Sequence, residues 1–458
     1  MQASVLGLVL AACTGGASTA TTDDAITTTS QPTTTVTNPP LVDGGLIPID
    51  PATLIPLQGA EPILVADHFW GVVSPGGNFA AIQSVTTDTE AHQLALVDLA
   101  TNAVEANIDV SGFGLDDPVV LDTGEIYWLG NESSLVLYRL RPGDDLSEAI
   151  YSEFPPTFSS VDLHILPDGR FGVFGSRSDE RPEGLATLVL VAETADGHEE
   201  IPLENVIAGY ANEPDPDAAV PVFEFAGNAP VWDDEASRFL LVEAARDAVT
   251  EVDLVTSETD EHPFSPPVAL IEQLWTFLTP MAQAKGPVAG VAREAVLAPD
   301  GQRLFVSTSI TETEVEETSW ETTLSPKDLL VLDTNTWEAS TLDIAVDTLN
   351  PSPNGVHLLA HGAQITEGTS AGFEIRPSPV YVIDMSLPEV LLGFQTSDES
   401  VAELQFSADG ILVYISTWSP DATTIDILDL GLLQLTGAVS FRELSLVGQA
   451  GYMAFHLE

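Results

Sequence analysis

Apolar and polar positions in this chain fall into short runs bounded by turn residues. Ala-Val-Leu-Ala-Pro-Asp-Gly-Gln-Arg-Leu-Phe-Val-Ser occupies 295–307, and variants stand at 164–175 and 404–416. Each reads as an apolar strand, a tight turn and a second apolar strand. Nothing between them sustains a helical period for long. A phrase repeated at intervals of tens of residues predicts a repeat architecture, in which each copy is one supersecondary unit.

The second turn residue of each copy falls at Gly77, Gly124, Gly169, Ala236, Gly301, Gly355 and Gly410, at successive gaps of 47, 45, 67, 65, 54 and 55. The short gaps suit one four-stranded blade of about 40–50 residues, and the long ones a blade plus an insertion. Glycine suits a hairpin position that needs positive φ, so Ala236 predicts a different turn in its copy. A second phrase follows the first: Leu-Val-Asp-Leu-Ala-Thr-Asn at 96–102, Glu-Val-Asp-Leu-Val-Thr-Ser at 251–257 and Leu-Val-Leu-Asp-Thr-Asn-Thr at 330–336, with weaker forms at Asp384 and Asp429. The strand ends in an Asp whose carboxylate can accept backbone amides two residues on and open a turn, which predicts the outer hairpin of the blade.

These two phrases resemble the repeats of secreted bacterial β-propellers of the YVTN and TolB-like kind, over roughly 44–458. The resemblance implies an all-β chain, a single propeller of four-stranded antiparallel blades, and leaves its role open, since the fold hosts many unrelated functions. Residues 443–457 look like an inner hairpin without an outer one, and 46–57 like an outer phrase without an inner one. Joined, they predict an eighth blade formed by both termini, which would close the ring and remove free sheet edges. The alternative is seven blades, with the terminal segments only adding strands.

The long insertions are 204–228 and 265–294 between blades, and 308–328 and 362–379 within blades. All belong to the face that carries second-to-third strand loops and blade-to-blade connections, over consecutive blades four to six. Insertions confined to one face of a repeat protein mark a binding face. Within them, 268–281 breaks the β pattern: Leu270, Leu274, Phe277, Leu278 and Met281 recur at helical spacing, which predicts a small helical insertion carrying Trp275. Glu312, Glu314, Glu316 and Glu317 crowd a loop before Trp320. Trp275 and Trp320 are candidate aromatic anchors for a partner.

Composition narrows the partner. Of 458 residues, 70 are acidic and 13 basic, a net charge of −57, and only Lys285 and Lys327 are lysines. Nucleic acid is excluded as a natural partner, because gripping phosphates takes clustered Lys and Arg. A solvated acidic surface keeps a secreted protein soluble; the sharper readings are saline adaptation and cation binding. The expected ligand is a protein, peptide or glycan that is cationic or cation-bridged, bound by a monomer.

Residues 4–12 are small and apolar and end in Leu10-Ala11-Ala12-Cys13, which resembles the lipobox of bacterial lipoproteins. That resemblance implies a signal peptide over 1–12, cleavage before Cys13 and a lipid on its sulfur. Met1-Gln2-Ala3 lack the positive charge of a signal start, so the true start is expected upstream. Eleven threonines lie between Thr14 and Asn38, and such a segment buries no core, so 13–43 is expected to be a disordered linker ahead of a propeller domain at 44–458. The membrane is then reached through the anchor only, and the protein is extracytoplasmic.

Catalytic signatures are sparse. The Ser-hydrolase elbow, the P-loop, the dinucleotide glycine fingerprint and HExxH are absent, and one cysteine excludes thiolate zinc sites from the mature domain. No cofactor is expected, although a divalent cation fits the acidity. His357 and His361 would converge on a helix; on a strand they stand roughly 13 Å apart. The leading expectation is a non-catalytic binding or scaffold module of the cell envelope. The alternative is a propeller enzyme, such as a lactonase-like hydrolase, with a metal at the central channel. Its candidates are polar residues near inner-strand starts: Asp67, His68, Asp117, Asp162, Asn228, Glu294 and Asn350.

The anchor has a direct test. Expressed in a lipoprotein-competent bacterium, the chain is expected in the membrane fraction, and Cys13→Ala is expected to release it or leave an unprocessed precursor. Normal processing with continued membrane fractionation of Cys13→Ala would count against the lipid anchor.

Overall fold

In the computed structural model, each pair of repeated phrases folds into one four-stranded antiparallel blade, and blade five is extended by further strands. The structure describes residues 68–446 except 87–90, 111–117, 132–133, 156–157, 178–184, 193–196, 208–223, 245, 265–287, 316–319, 370–371, 378, 395–400, 408, 419–422 and 432–440, together with the terminal strands Gly7–Ala11, Gly45–Asp50, Ile55–Pro56, Leu64–Val65 and Met453–Phe455. The predicted helix at 268–281 lies outside the described residues.

Blade one shows the plan. His68–Val73, Phe79–Thr86, Ala91–Asp98 and Ala103–Asp109 pair in sequence order, from inner to outer strand. Six more blades follow, at 119–151, 158–207, 229–263, 288–346, 348–394 and 401–446. The propeller therefore has seven blades, and the expected eighth is corrected. The third-to-fourth strand connection of blade seven is long, so its outer strand falls late, at Phe441–Leu446, and pairs with Thr423–Asp429. What reads as the start of a new inner hairpin is the outer strand of the last blade. The termini instead share a separate sheet in which Gly7–Ala11 lies between Gly45–Asp50 and Met453–Phe455. Cleavage before Cys13 would remove that middle strand, so this sheet belongs to the uncleaved chain.

The turn chemistry follows the sequence. In six of the first phrases the turn glycine donates its amide to the carbonyl three residues earlier, as Gly301 does to Ala298 at 2.8 Å. Gly355 has φ 67°, and a methyl there would overlap Pro299 of the preceding blade. The phrase with Ala236 turns differently, as its missing glycine predicts. Asp233 Oδ1 accepts the Ala236 amide at 3.1 Å, and Ser237 takes the left-handed conformation at φ 52°. In the second phrase, Asp253 Oδ1 accepts the amides of Val255 and Thr256, both at 2.8 Å. Asp98, Asp333 and Asp384 repeat the motif.

The core lies between blades. Trp128 and Tyr138 of blade two join Ala81, Leu94 and Leu96 of blade one. Phe174 and Leu188 of blade three meet Phe239 and Leu241 of blade four, and Phe305 and Leu329 of blade five meet Leu358 and Ile383 of blade six. Each such side chain, fully buried, contributes about 1.5–3 kcal/mol. Polar bonds stitch the turn face: Arg170 Nη2 donates to Leu254 O at 2.8 Å, and Asn354 Nδ2 to Asp409 O at 2.9 Å.

The seam between blades three and four is closely packed. The Trp232 ring lies over Gly172, where a Cβ would overlap it. It stacks on His164 with centroids 4.9 Å apart, and its Nε1 donates to Asp162 Oδ2 at 2.5 Å. Gly172→Val forces that ring off its partners and is expected to cost about 1–3 kcal/mol, as overpacking does. The denaturant midpoint of the variant measures it; a midpoint equal to wild type would refute the packing account.

Candidate functional site

The insertions converge on blade five. Its inner strand Val288–Leu297 receives Glu224–Gly227 as a parallel neighbour. Its middle strands, Arg303–Val315 and Trp320–Asp333, run past the blade as one long hairpin. A second hairpin, Ala363–Thr369 with Gly372–Pro377, is inserted between two strands of blade six and joins the first through Leu324 and Ile365. Strands from 204–228, 308–328 and 362–379 thus form one continuous sheet with blade five, whose own inner strand takes up the end of 265–294.

This sheet corrects the expected acidic loop. Glu312 and Glu314 are strand residues, opposite Thr323 and Glu321 in register, and Trp320 opens the return strand opposite Val315. The Glu312 side chain is exposed. Trp275, Glu316 and Glu317 lie outside the described residues, as do Asp67 and Asp117.

The other inner-strand candidates belong to different blades. Asp162 holds Trp232, as described. Asn228 Oδ1 accepts the Ala244 amide at 2.8 Å and braces blade four. Asn350 is a ladder residue opposite Leu359, and His68 starts the inner strand of blade one. The strand His357–His361 is unbroken, with His357 opposite Asp384 and His361 opposite Thr348, so the histidines stand at its two ends. Among the described residues, no group of three or more His, Cys, Asp or Glu is placed to hold a metal.

Glu294 is the exception among these candidates. It sits opposite Ser307 on the inner strand of blade five, and its Oε2 accepts the Leu349 amide of blade six at 2.9 Å. Burial, reinforced by the Asp347 carboxylate and opposed by the Leu349 bond, pushes its pKa up to about 7. Asp347 also bonds the hydroxyl of Thr348 at 3.1 Å and donates its amide to His361 O at 3.0 Å. Burial alone pushes His361 down to about 4. Between about pH 4 and 7 both groups are therefore uncharged in the folded protein. A carboxyl that titrates near neutrality can exchange a proton at working pH.

The preceding residue, Arg293, is absent from the sequence-derived candidates. It faces blade four, where its Nη2 donates to Asp247 Oδ1 at 2.6 Å and its guanidinium lies 5.3 Å from the Phe264 ring centroid. The signal was there: a lone arginine in a strand otherwise built mainly from Val, Ala, Gly and Leu.

No family model matches the sequence, and no curated protein matches it. Solved structures do match. The dihydro-heme d1 dehydrogenase NirN in complex with DHE aligns at TM-score 0.52 and 12% identity, over 89% of this chain and 72% of its own. A Dos1 propeller aligns at TM-score 0.46 and 10% identity, over 83% of this chain and 84% of its own. A putative 6-phosphogluconolactonase from Bacteroides uniformis aligns at TM-score 0.41 and 11% identity, over 99% and 100%. At such identities the likeness shows the fold alone: an all-β propeller.

Glu294 predicts a pH signature. Its folded pKa is raised above the ordinary 4.5, so its protonated form is favoured by folding. That contribution is complete below about pH 4.5 and is lost as pH rises to about 7, a difference of up to roughly 3 kcal/mol. Glu294→Gln is expected to be more stable than wild type at pH 8 and to converge with it near pH 4.5. Parallel stability curves for the two proteins across that range would refute the raised pKa.

Proposed function

We propose that this chain is a cell-envelope binding module, tethered through a lipid on Cys13, whose docking surface is the sheet raised over blade five. One observation carries the reading: insertions 204–228, 308–328 and 362–379 contribute strands to a single sheet with blade five. Loops lengthened independently would have no reason to pair with one another. The surface holds the exposed Glu312 and, in sequence, Glu314, Glu316, Glu317 and Trp320, with Trp275 in the neighbouring insertion. Aromatic anchors dominate interface energetics, and the carboxylates favour a cationic or cation-bridged protein, peptide or glycan.

A second reading, a propeller hydrolase, draws support from Glu294, which titrates at about 7 beside Asp347. Under it, Glu294→Gln abolishes turnover of a lactone or ester while leaving partner capture intact.

Capture from native envelopes tests the docking surface. Replacing 311–322 with a short Gly-Ser turn should cut retention of the wild-type partner at least tenfold at 0.1 M salt, with the unfolding midpoint unchanged. Wild-type capture should itself weaken at 1 M salt, where the screening length falls from about 10 Å to about 3 Å. Full retention by the replaced chain, at both salt concentrations, would rule this surface out.

A further inference from the structure

Arg293 is a buried cation with unmet hydrogen-bonding capacity. Its side chain is 1% exposed. The single bond to Asp247 leaves Nε and Nη1 buried and without an acceptor. Thr308 stands directly opposite Arg293 in the ladder, and cross-strand partners share a face of the sheet. Thr308 is also 1% exposed, and its hydroxyl has no partner. Three buried polar atoms without partners thus come from two paired positions on one face of the sheet, where Arg293 faces blade four. Native interiors leave few such groups unmet, and a cluster of them points to an ordered water or a bound ligand.

The surroundings select the ligand's charge. Asp247 supplies one carboxylate bond. The nearby Glu243 is already engaged: it accepts from Arg246 Nε at 2.7 Å, Arg246 Nη2 at 2.8 Å and the Thr250 hydroxyl at 2.8 Å. Burial still lowers the Arg293 pKa against the pull of Asp247 and Glu243, so the cation is under-compensated. A partner that brings its own negative charge gains charge-assisted bonds, which are about twice as strong as neutral ones. Phe264 covers one side of the guanidinium, and Ala244, Val291 and Ile310 belong to the same apolar cluster, so the surroundings favour an anion with an apolar part.

We propose that the seam between blades four and five binds a small monocarboxylate, whose oxygens accept from the free N–H groups of Arg293 and from the Thr308 hydroxyl. This goes beyond the docking surface and does not depend on it; a chain with 311–322 replaced still carries the site.

The test uses the full chain, with acetate as probe and acetamide as its uncharged analogue, at constant ionic strength set with chloride. Acetate is expected to bind at one equivalent and raise the unfolding midpoint above that in chloride alone. Acetamide should bind at least tenfold more weakly. Thr308→Val, which keeps the size of the side chain, should weaken acetate at least tenfold, and Arg293→Met should abolish binding. If Arg293→Met fails to fold, Thr308→Val still decides the matter. Acetate acting no differently from chloride, acetamide binding as well as acetate, or Thr308→Val binding like wild type would each overturn the proposal.

Discussion

Both faces of each blade must be covered, and the next blade is what covers them. A four-stranded sheet with apolar residues on both sides cannot stand alone in water, so each blade is stable only as a neighbour of others. Among the described residues, the apolar clusters each span two consecutive blades, from Trp128 against Leu94 to Leu428 against Leu359. The close contact of Trp232 with Gly172 shows how little slack a seam has. Everything functional on the molecule inherits this geometry. Inner-strand side chains such as Arg293 and Glu294 look into seams, whereas outer strands such as Thr259–Pro263 are largely exposed.

Electrostatics is arranged around the same seams. The chain has eleven arginines, and each of the eight whose side chains are described forms an ion pair. Arg238 pairs with Asp233 and also reaches Gly301 O of the next blade at 3.2 Å. Among the described residues, these arginines are paired with carboxylates, and the acidic surplus of the chain leaves further carboxylates over. Some are fixed by the fold itself: the amides that bond Asp253 and Asp333 hold those carboxyls below their ordinary range. Others, such as Glu312, are free to meet a partner. Adjacent residues on one strand serve different neighbours, since Arg293 faces blade four and Glu294 faces blade six.

The repeat was legible in the sequence because its signals are local. An Asp at a strand end bonds amides two and three residues on, and a glycine accepts positive φ; both depend only on nearby chain. Even the departure at Ala236 could be read, since Ser237 takes the left-handed position instead. The face of the insertions was legible too, because strand order fixes which loops share a face. The blade count at the ends was not. Phe441–Leu446 looks like any other apolar strand, and only its pairing with Thr423–Asp429 makes it the last strand of blade seven.

The sequence by itself determined the blades, their turns, the acidic surplus and the side on which the insertions grow. Tertiary structure alone decided that separate insertions pair into one sheet, that Glu294 is a near-neutral carboxyl beside Asp347, and that Arg293 and Thr308 are buried opposite each other at one seam. The physical reason is distance along the chain. Strand pairing such as Leu324 with Ile365 is a contact between remote segments, with no local residue code. A pKa or an unmet hydrogen bond depends on what the neighbouring blade excludes: water.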